Sequence, residues 1–270
     1  MNKDVVLAVR DLSVRYSHTG VNVGKVSFTI ERGKVLGLFG ESGCGKSSVC
    51  NAILGLLDST AARVSGSITL QGREILPLSW DQREKVNGKE ISVVMQNPMT
   101  AFNSCMKIKG HFIETLCAHL TCSKRDAILY GIELLHRVDL HDGRAVMNSY
   151  PYALSGGMLQ RVMIALAVSL NPVLMIADEP TTALDAANCE LVVELLSSVM
   201  KEYQPALLLV SHDLEVISAL ADDVAVMKDG RIVERGAKGM LLRYPHNRYT
   251  QELLRSNRIL GVADCWKSSM

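Results

Sequence analysis

Gly40-Glu41-Ser42-Gly43-Cys44-Gly45-Lys46-Ser47 is the stretch that decides this chain. It follows Val35-Leu36-Gly37-Leu38-Phe39, an apolar run suited to a central buried strand, and precedes apolar residues at Val49, Ile53, Leu54 and Leu57. The order is strand, Gly-rich loop, helix. Glycine lacks a Cβ, so the loop can bring backbone N–H groups close around phosphate oxygens. The helix opening at Lys46 adds its positive dipole end to the same anion. In such a loop the lysine reaches the β- and γ-phosphates and the Ser47 hydroxyl ligates Mg²⁺.

One such match arises by chance in roughly one chain in a hundred of this length, so the blocks downstream carry equal weight. Leu154-Ser155-Gly156-Gly157-Met158-Leu159-Gln160-Arg161 reads as a helix N-terminus, capped by Ser155 or the glycines. A hydroxyl beside bare N–H groups is an anion receptor. Val173 to Pro180 is a strand, apolar to Ala177, that ends in Asp178 and Glu179 at the carboxyl edge of a sheet. Alternate strand residues point to opposite faces, so the two carboxylates are expected to take different tasks. Ser211-His212-Asp213 follows the next apolar strand, Ala206 to Val210.

Bulk composition narrows the classes. The 270 residues can bury a full core as one domain, or as one domain with a subdomain. Hydrophobic residues make up 48%, yet no apolar run approaches the length of a membrane span. The amino terminus, with Asp4 and no apolar core of signal-peptide length, argues against export. Net charge is +1, from 29 basic and 28 acidic residues without long blocks, which removes the footprint expected of a duplex-binding protein. The seven scattered cysteines contain no C-x-x-C pair and read as reduced, small apolar residues. His111, His119, His136 and His141 lie loosely around Cys117 and Cys122; packing or solvation is the default reading over a metal site.

Along the chain, residues 5–36 alternate in strand fashion, and Val64 to Leu70 and Ile91 to Met95 are further strands. From Asn97 to Ser149 strand runs vanish, and helical spacing appears in Ile108-Phe112-Leu116 and Ile128-Ile132-Leu135. The β/α alternation then resumes, up to a hairpin at Lys228-Asp229-Gly230-Arg231 and a helical tail.

The four blocks in this order resemble the ATPase subunits of ATP-binding-cassette (ABC) transporters, over most of the chain. The resemblance implies an α/β fold, a P-loop NTPase (RecA-like) ABC ATPase core with an antiparallel β subdomain and an inserted α-helical subdomain. Residues 1–270 would form a single nucleotide-binding domain: core and β subdomain at 1–96 and 166–235, helical subdomain at 97–165, short tail at 236–270. ATP and Mg²⁺ are the implied cofactors. ATP would be held by Gly40, Glu41, Ser42, Gly43, Cys44, Gly45, Lys46, Ser47 and Ser48, with Tyr16 stacked on adenine. Ser47, Gln96 and Asp178 would hold Mg²⁺. Glu179 would polarise the attacking water, with Gln96 sensing metal and water and His212 contacting the γ-phosphate.

The same resemblance supplies partners. Ser155, Gly156 and Gly157 would complete the site of a second ABC ATPase, identical or paralogous, in a head-to-tail dimer. Asp185, in Ala183-Leu184-Asp185, would lie in the loop crossing that interface. Two transmembrane permeases would dock on the helical region, where Phe102 is either the apolar anchor for that contact or a core residue of the insertion, and an extracytoplasmic binding protein would deliver substrate. This places the chain at the cytoplasmic face of the inner membrane as a peripheral subunit, with no nucleic-acid partner. Met95-Gln96-Asn97-Pro98, Ala101-Phe102-Asn103, the uninterrupted signature and the tail Pro245-His246-Asn247-Arg248-Tyr249-Thr250 resemble the dipeptide, oligopeptide and nickel importer group. Within it, the Ser155–Arg161 variant and the short tail look most like the nickel and metal–metallophore branch. Peptide-importer ATPases usually carry a longer carboxyl-terminal extension, some with clustered cysteines; only Cys265 stands there in this chain. Peptide import is the alternative. A soluble ABC ATPase of DNA repair or translation is the remote one, since this chain has one cassette and no heptad run.

Overall fold

The computed structural model describes residues 4–17, 22–182 and 184–259. In chain order the elements are β1 (Val5–Tyr16), β2 (Val23–Glu31), β3 (Val35–Phe39), α1 (Lys46–Leu54), β4 (Ala62–Leu70), β5 (Arg73–Glu74), α2 (Trp80–Val86), β6 (Ile91–Val94) and α3 (Pro98–Ala101). Then come α4 (Ile108–His119), α5 (Lys124–Arg137), α6 (Gly143–Asn148), α7 (Gly156–Val168), β7 (Leu174–Asp178), α8 (Ala186–Tyr203) and β8 (Ala206–Ser211). The chain continues through α9 (Leu214–Leu220), β9 (Asp223–Lys228), β10 (Arg231–Ala237), α10 (Lys238–Arg243) and α11 (Arg248–Ile259). It divides into two compact units, one running to Pro77 and resuming at Leu208, the other Leu78–Leu207. These divisions fall elsewhere than the expected subdomain boundaries, so β6, β7 and α8 group with the helical segment.

The first unit holds an antiparallel sheet in the order β2-β1-β4-β5. Two alternating runs merge into the single strand β1 because a bulge sits between them: register with β2 shifts between Val9 and Leu12, and Asp11 has φ 48°. Opposite the bulge lies Gly66, at φ 115°, where a Cβ would come within 2.7 Å of the Arg10 and Asp11 carbonyl oxygens. Only glycine fits there. This unit also holds β3, buried at every residue and paired in parallel with β9, as expected of a strand covered on both faces. β9 turns into β10 through Asp229-Gly230, both at positive φ (45° and 76°), the signature of a tight type I′ hairpin.

In the second unit β6 and β7 pair in parallel, from Ile91 opposite Leu174 to Val94 opposite Ala177. Helix α2 precedes them, and between them in sequence lie helices α3 to α7. On α4 the expected stripe Ile108, Phe112 and Leu116 is buried. On α5 the buried face is Ala127, Gly131, Leu134 and Leu135, rotated from the expected Ile128-Ile132-Leu135. Small residues won the inward face because Phe112 and Met147 occupy the space against Gly131. Helices α2 and α6 were not anticipated, although Ser79 and Gln82 form a capping box at α2 and the Asp142 carboxylate accepts the Ala145 N–H at α6.

Of the two readings of Phe102, the structure takes the core one. It is 7% exposed, and its ring meets His111 edge-on with centroids 5.0 Å apart, so it is a core side chain of the helical segment rather than an open anchor. Phe102→Ala should therefore destabilise the isolated subunit by about 3 kcal/mol. That corresponds to a fall of roughly 6–12 °C in Tm, measured by thermal unfolding; an unchanged Tm would return Phe102 to the surface.

Candidate functional site

In the first unit, β3 delivers the chain into the loop from Gly40 to Gly45, and α1 leaves it at Lys46. Gly43 (φ 81°) and Gly45 (φ 106°) both occupy conformations that favour glycine. Gly45 is the N-cap of α1 and offers no side-chain cap, so the first-turn N–H groups are not taken by a capping side chain. Glu41, Ser42, Gly43 and Ser47 are exposed, whereas Cys44, Gly45 and Lys46 are buried. The Lys46 ammonium, on a side chain only 4% exposed overall, donates to the Gly40 carbonyl (2.8 Å) and the Glu41 carbonyl (3.0 Å), bracing the loop across its own curve. Burial pushes the Cys44 thiol up, against the pull of Lys46, so Cys44 packs as a neutral group. Tyr16, at the end of β1, donates its hydroxyl to Ser48 Oγ at 2.8 Å; the first turn of α1 and the predicted adenine residue thus belong to one cluster. His212 is exposed directly after β8, and Asp213 caps α9 by accepting the Glu215 N–H at 2.8 Å.

In the second unit, β7 ends at Asp178. The expected reason for splitting the two carboxylates, alternation along a strand, does not apply. Glu179 lies past the strand with φ 49°, in the left-handed region, where a non-glycine residue carries about 1–2 kcal/mol of strain. The chain turns there, and the turn separates the carboxylates. Thr182 Oγ1 donates to Glu179 Oε2 at 2.9 Å, fixing its direction. Gln96 is exposed two residues after β6.

Ser155 caps α7 by accepting the Met158 N–H at 3.2 Å, so the helix begins at Gly156 and, of the two capping choices, the serine is the cap. Gly156 is exposed and Gly157 buried; a Cβ on Gly157 would collide with the side-chain amide of Asn188. Asn188 in turn donates its N–H (2.9 Å) and side-chain amide (2.8 Å) to Asp185, the N-cap of α8. Those two bonds hold the Asp185 carboxyl below its usual range. The structure therefore joins two predicted features, the signature and Asp185, through a residue the sequence reading did not single out. Ala183 lies outside the described residues. Gln160 was also missed: it is fully buried and donates from Nε2 to the Pro180 carbonyl at 2.8 Å, tying α7 to the turn that carries Glu179. Its signal was a lone glutamine in an otherwise apolar helix face.

The histidines separate rather than converge. His111 packs on Phe102, His136 pairs with His141, and among the described residues no group of three or more His, Cys, Asp or Glu could hold a metal ion. No helix among them is long and apolar enough to cross a membrane.

Residues 23–182 match the family model described as ABC transporter. The metal-staphylopine import system ATP-binding protein CntD of Staphylococcus aureus is 41% identical over 94% of this chain and 93% of its own length. The oligopeptide transport ATP-binding protein OppD of Escherichia coli is 39% identical over 93% of this chain and 75% of its own. Among solved structures, the dimeric post-hydrolysis ATP-binding cassette MJ0796, bound to ADP and Pi, superposes with a TM-score of 0.75 at 24% identity. That match covers 86% of this chain and 98% of the other, and it bears on the fold alone. This chain belongs to the ABC transporter family, with the ABC ATPase fold, and is an ATP-binding and ATP-hydrolysing transport subunit.

Proposed function

We propose that this chain powers a membrane importer of nickel or a related metal chelate, working as one of two ATPases beneath two permeases. The observation that carries the proposal is the 41% identity to a metal-staphylopine import ATPase along nearly the whole of both chains. The signature and tail that look like those of the nickel-import ATPase NikD point the same way. Peptide import is the second reading, supported by the 39% identity to an oligopeptide import ATPase.

Each site residue then has a task. The loop amides and Lys46 bind the β- and γ-phosphates. The Ser47 hydroxyl, the Gln96 amide oxygen and the Asp178 carboxylate are hard oxygen donors, the chemistry Mg²⁺ takes; the ion would neutralise phosphate charge. Glu179 orients and polarises the attacking water, held by the Thr182 hydroxyl, and His212 supports the γ-phosphate. Ser155, Gly156 and Gly157 present a helix N-terminus to the nucleotide on a second ATPase. Met95 and Met99, each 44% exposed on either side of Gln96, replace Phe102 as the apolar contact for a permease. The subunit then sits peripherally on the cytoplasmic face of the membrane, with a binding protein delivering substrate from the other side.

Three measurements test this reading. Lys46→Ala removes the point charge facing the phosphates and should weaken binding of a fluorescent ATP analogue at least about tenfold; unchanged affinity would sink the loop assignment. Glu179→Gln keeps size and hydrogen bonding and loses the base. Turnover in the assembled transporter should fall by roughly 10²–10⁴-fold with ATP binding intact, and near wild-type hydrolysis would remove Glu179 from the mechanism. For substrate, the chain reconstituted with its permeases and binding protein should take up labelled nickel–metallophore chelate and not labelled oligopeptide. The reverse outcome would establish the peptide reading.

A further inference from the structure

The tail motif Pro245-His246-Asn247-Arg248-Tyr249-Thr250 has so far served only as a mark of the group, yet its contacts give it a mechanical place. Glu234 on β10 accepts the N–H of His246 (2.7 Å) and of Asn247 (3.2 Å). The Asn247 side chain donates to the Val233 carbonyl (3.4 Å) and accepts the Tyr249 N–H (2.9 Å). Gln251 donates back to the Pro245 carbonyl at 2.9 Å, and Thr250 is fully buried. The motif is thus fastened by its backbone to β10, which fixes where Tyr249 points.

Two routes lead from Tyr249 to the phosphate loop. In the first, the Lys228 ammonium lies 4.4 Å from the centroid of the Tyr249 ring, within cation–π range. Lys228 opens the Asp229-Gly230 turn, whose Gly230 N–H donates to the Cys44 carbonyl at 2.9 Å. In the second, the Tyr249 phenolic oxygen is itself buried, makes no hydrogen bond among the described residues, and lies near enough to the backbone N–H of Glu41 to feel its pull. Burial pushes the phenol up, against the pull of that N–H, so it stays neutral and able to donate or accept. Tyr249 therefore borders the loop near its entry at Glu41 and reaches it through the hairpin at Cys44, the residue before the N-cap of α1.

We infer that Tyr249 is a positioning residue for the phosphate loop: the tail, clamped by Glu234, sets the backbone of Glu41 to Cys44 and so sets the affinity for ATP. It is none of the residues assigned to the nucleotide or the attacking water. Its loss should raise the dissociation constant and KM for ATP while leaving kcat at saturation nearly unchanged. The inference rests on the ATP-binding reading of Gly40 to Ser48.

Tyr249→Leu keeps a bulky apolar side chain and removes both the aromatic face and the hydroxyl. Binding of the fluorescent ATP analogue to the purified subunit should weaken about threefold to tenfold. KM for ATP in the assembled transporter should rise to match, with kcat within about twofold of wild type. Tyr249→Phe, which restores the face over Lys228, should recover most of the loss. Tm of both variants should stay within about 3 °C of wild type, because Leu and Phe both keep a large apolar side chain at this half-buried position; a merely structural residue would move Tm and leave KM. Wild-type affinity in Tyr249→Leu overturns the inference, and so does a fall in kcat with KM unchanged. Lys46→Ala is run in parallel. Wild-type affinity there rejects the loop reading itself, whereas weak binding in Lys46→Ala beside wild-type binding in Tyr249→Leu rejects only the role of the tail.

Discussion

The phosphate loop is built from backbone N–H groups that must stay uncovered on one side, so everything that holds it has to act from behind. This requirement organises the first unit. A Cβ on Gly40 would collide with the Met227 carbonyl, and one on Gly45 would lie 3.0 Å from Met227 Cε; β9 backs the loop so closely that only glycine fits at both ends. The Cys44 carbonyl is taken by Gly230, and the Gly40 and Glu41 carbonyls by Lys46. Carbonyls are thereby turned inward and occupied. A loop whose carbonyls pointed outward would repel phosphate, however many glycines it contained.

The second unit solves a different problem. Two carboxylates adjacent in sequence must serve different ends, and a straight strand would only send them to opposite faces of a buried sheet. The left-handed conformation at Glu179 instead takes the second carboxylate out of β7. That strain of about 1–2 kcal/mol persists because neighbours hold the turn: Gln160 on the Pro180 carbonyl, Thr182 on the Glu179 carboxylate, and Cys189 Sγ 3.4 Å from the Thr181 carbonyl. The same helix that supplies Gln160 presents Ser155, Gly156 and Gly157 at its start. Any shift of α7 along its axis would therefore move the signature and the Glu179 turn together.

Much of this was legible in the sequence because the chemistry requires particular backbones. Strand β3, the Gly40 to Ser47 loop, α1, β7, β8 and α9 were each readable from an apolar run ending in a residue with a conformational task. What escaped was set by packing across the chain. The α5 stripe was misread because Phe112 needed the small face of Ala127 and Gly131, and periodicity alone favours the larger residues. Phe102 stayed open between interface and core, because its place at the start of the helical insertion fits either; its burial depends on His111, nine positions on. The turn at Glu179 was invisible because glutamate gives no sign of positive φ. Gln160 and Asn188 went unremarked because an amide in a helix is ordinary until the structure shows what it meets.

Binding and turnover have separate supports in this chain, and that separation constrains how it can vary. The loop that grips phosphate is braced by the β9–β10 hairpin, where Gly230 also accepts the Gly24 N–H at 2.9 Å and packs against the Asn22 carbonyl. One two-residue turn therefore serves the β2 entry and the phosphate loop at once, and the tail presses on it through Lys228. The Glu179 turn is braced by α7 and the start of α8 instead. A substitution in the hairpin or tail shifts the positions of N–H groups that meet the ground state and the transition state alike, which is uniform binding and appears in KM. A substitution around the Glu179 turn would, in the proposed role, shift a group whose contribution grows only as water attacks, and would appear in kcat. Under the proposed roles, affinity for ATP would be tuned from the carboxyl-terminal end of the chain without disturbing the Glu179 turn, because the path from Tyr249 runs through Lys228 and Gly230 to Cys44 and not through Glu179.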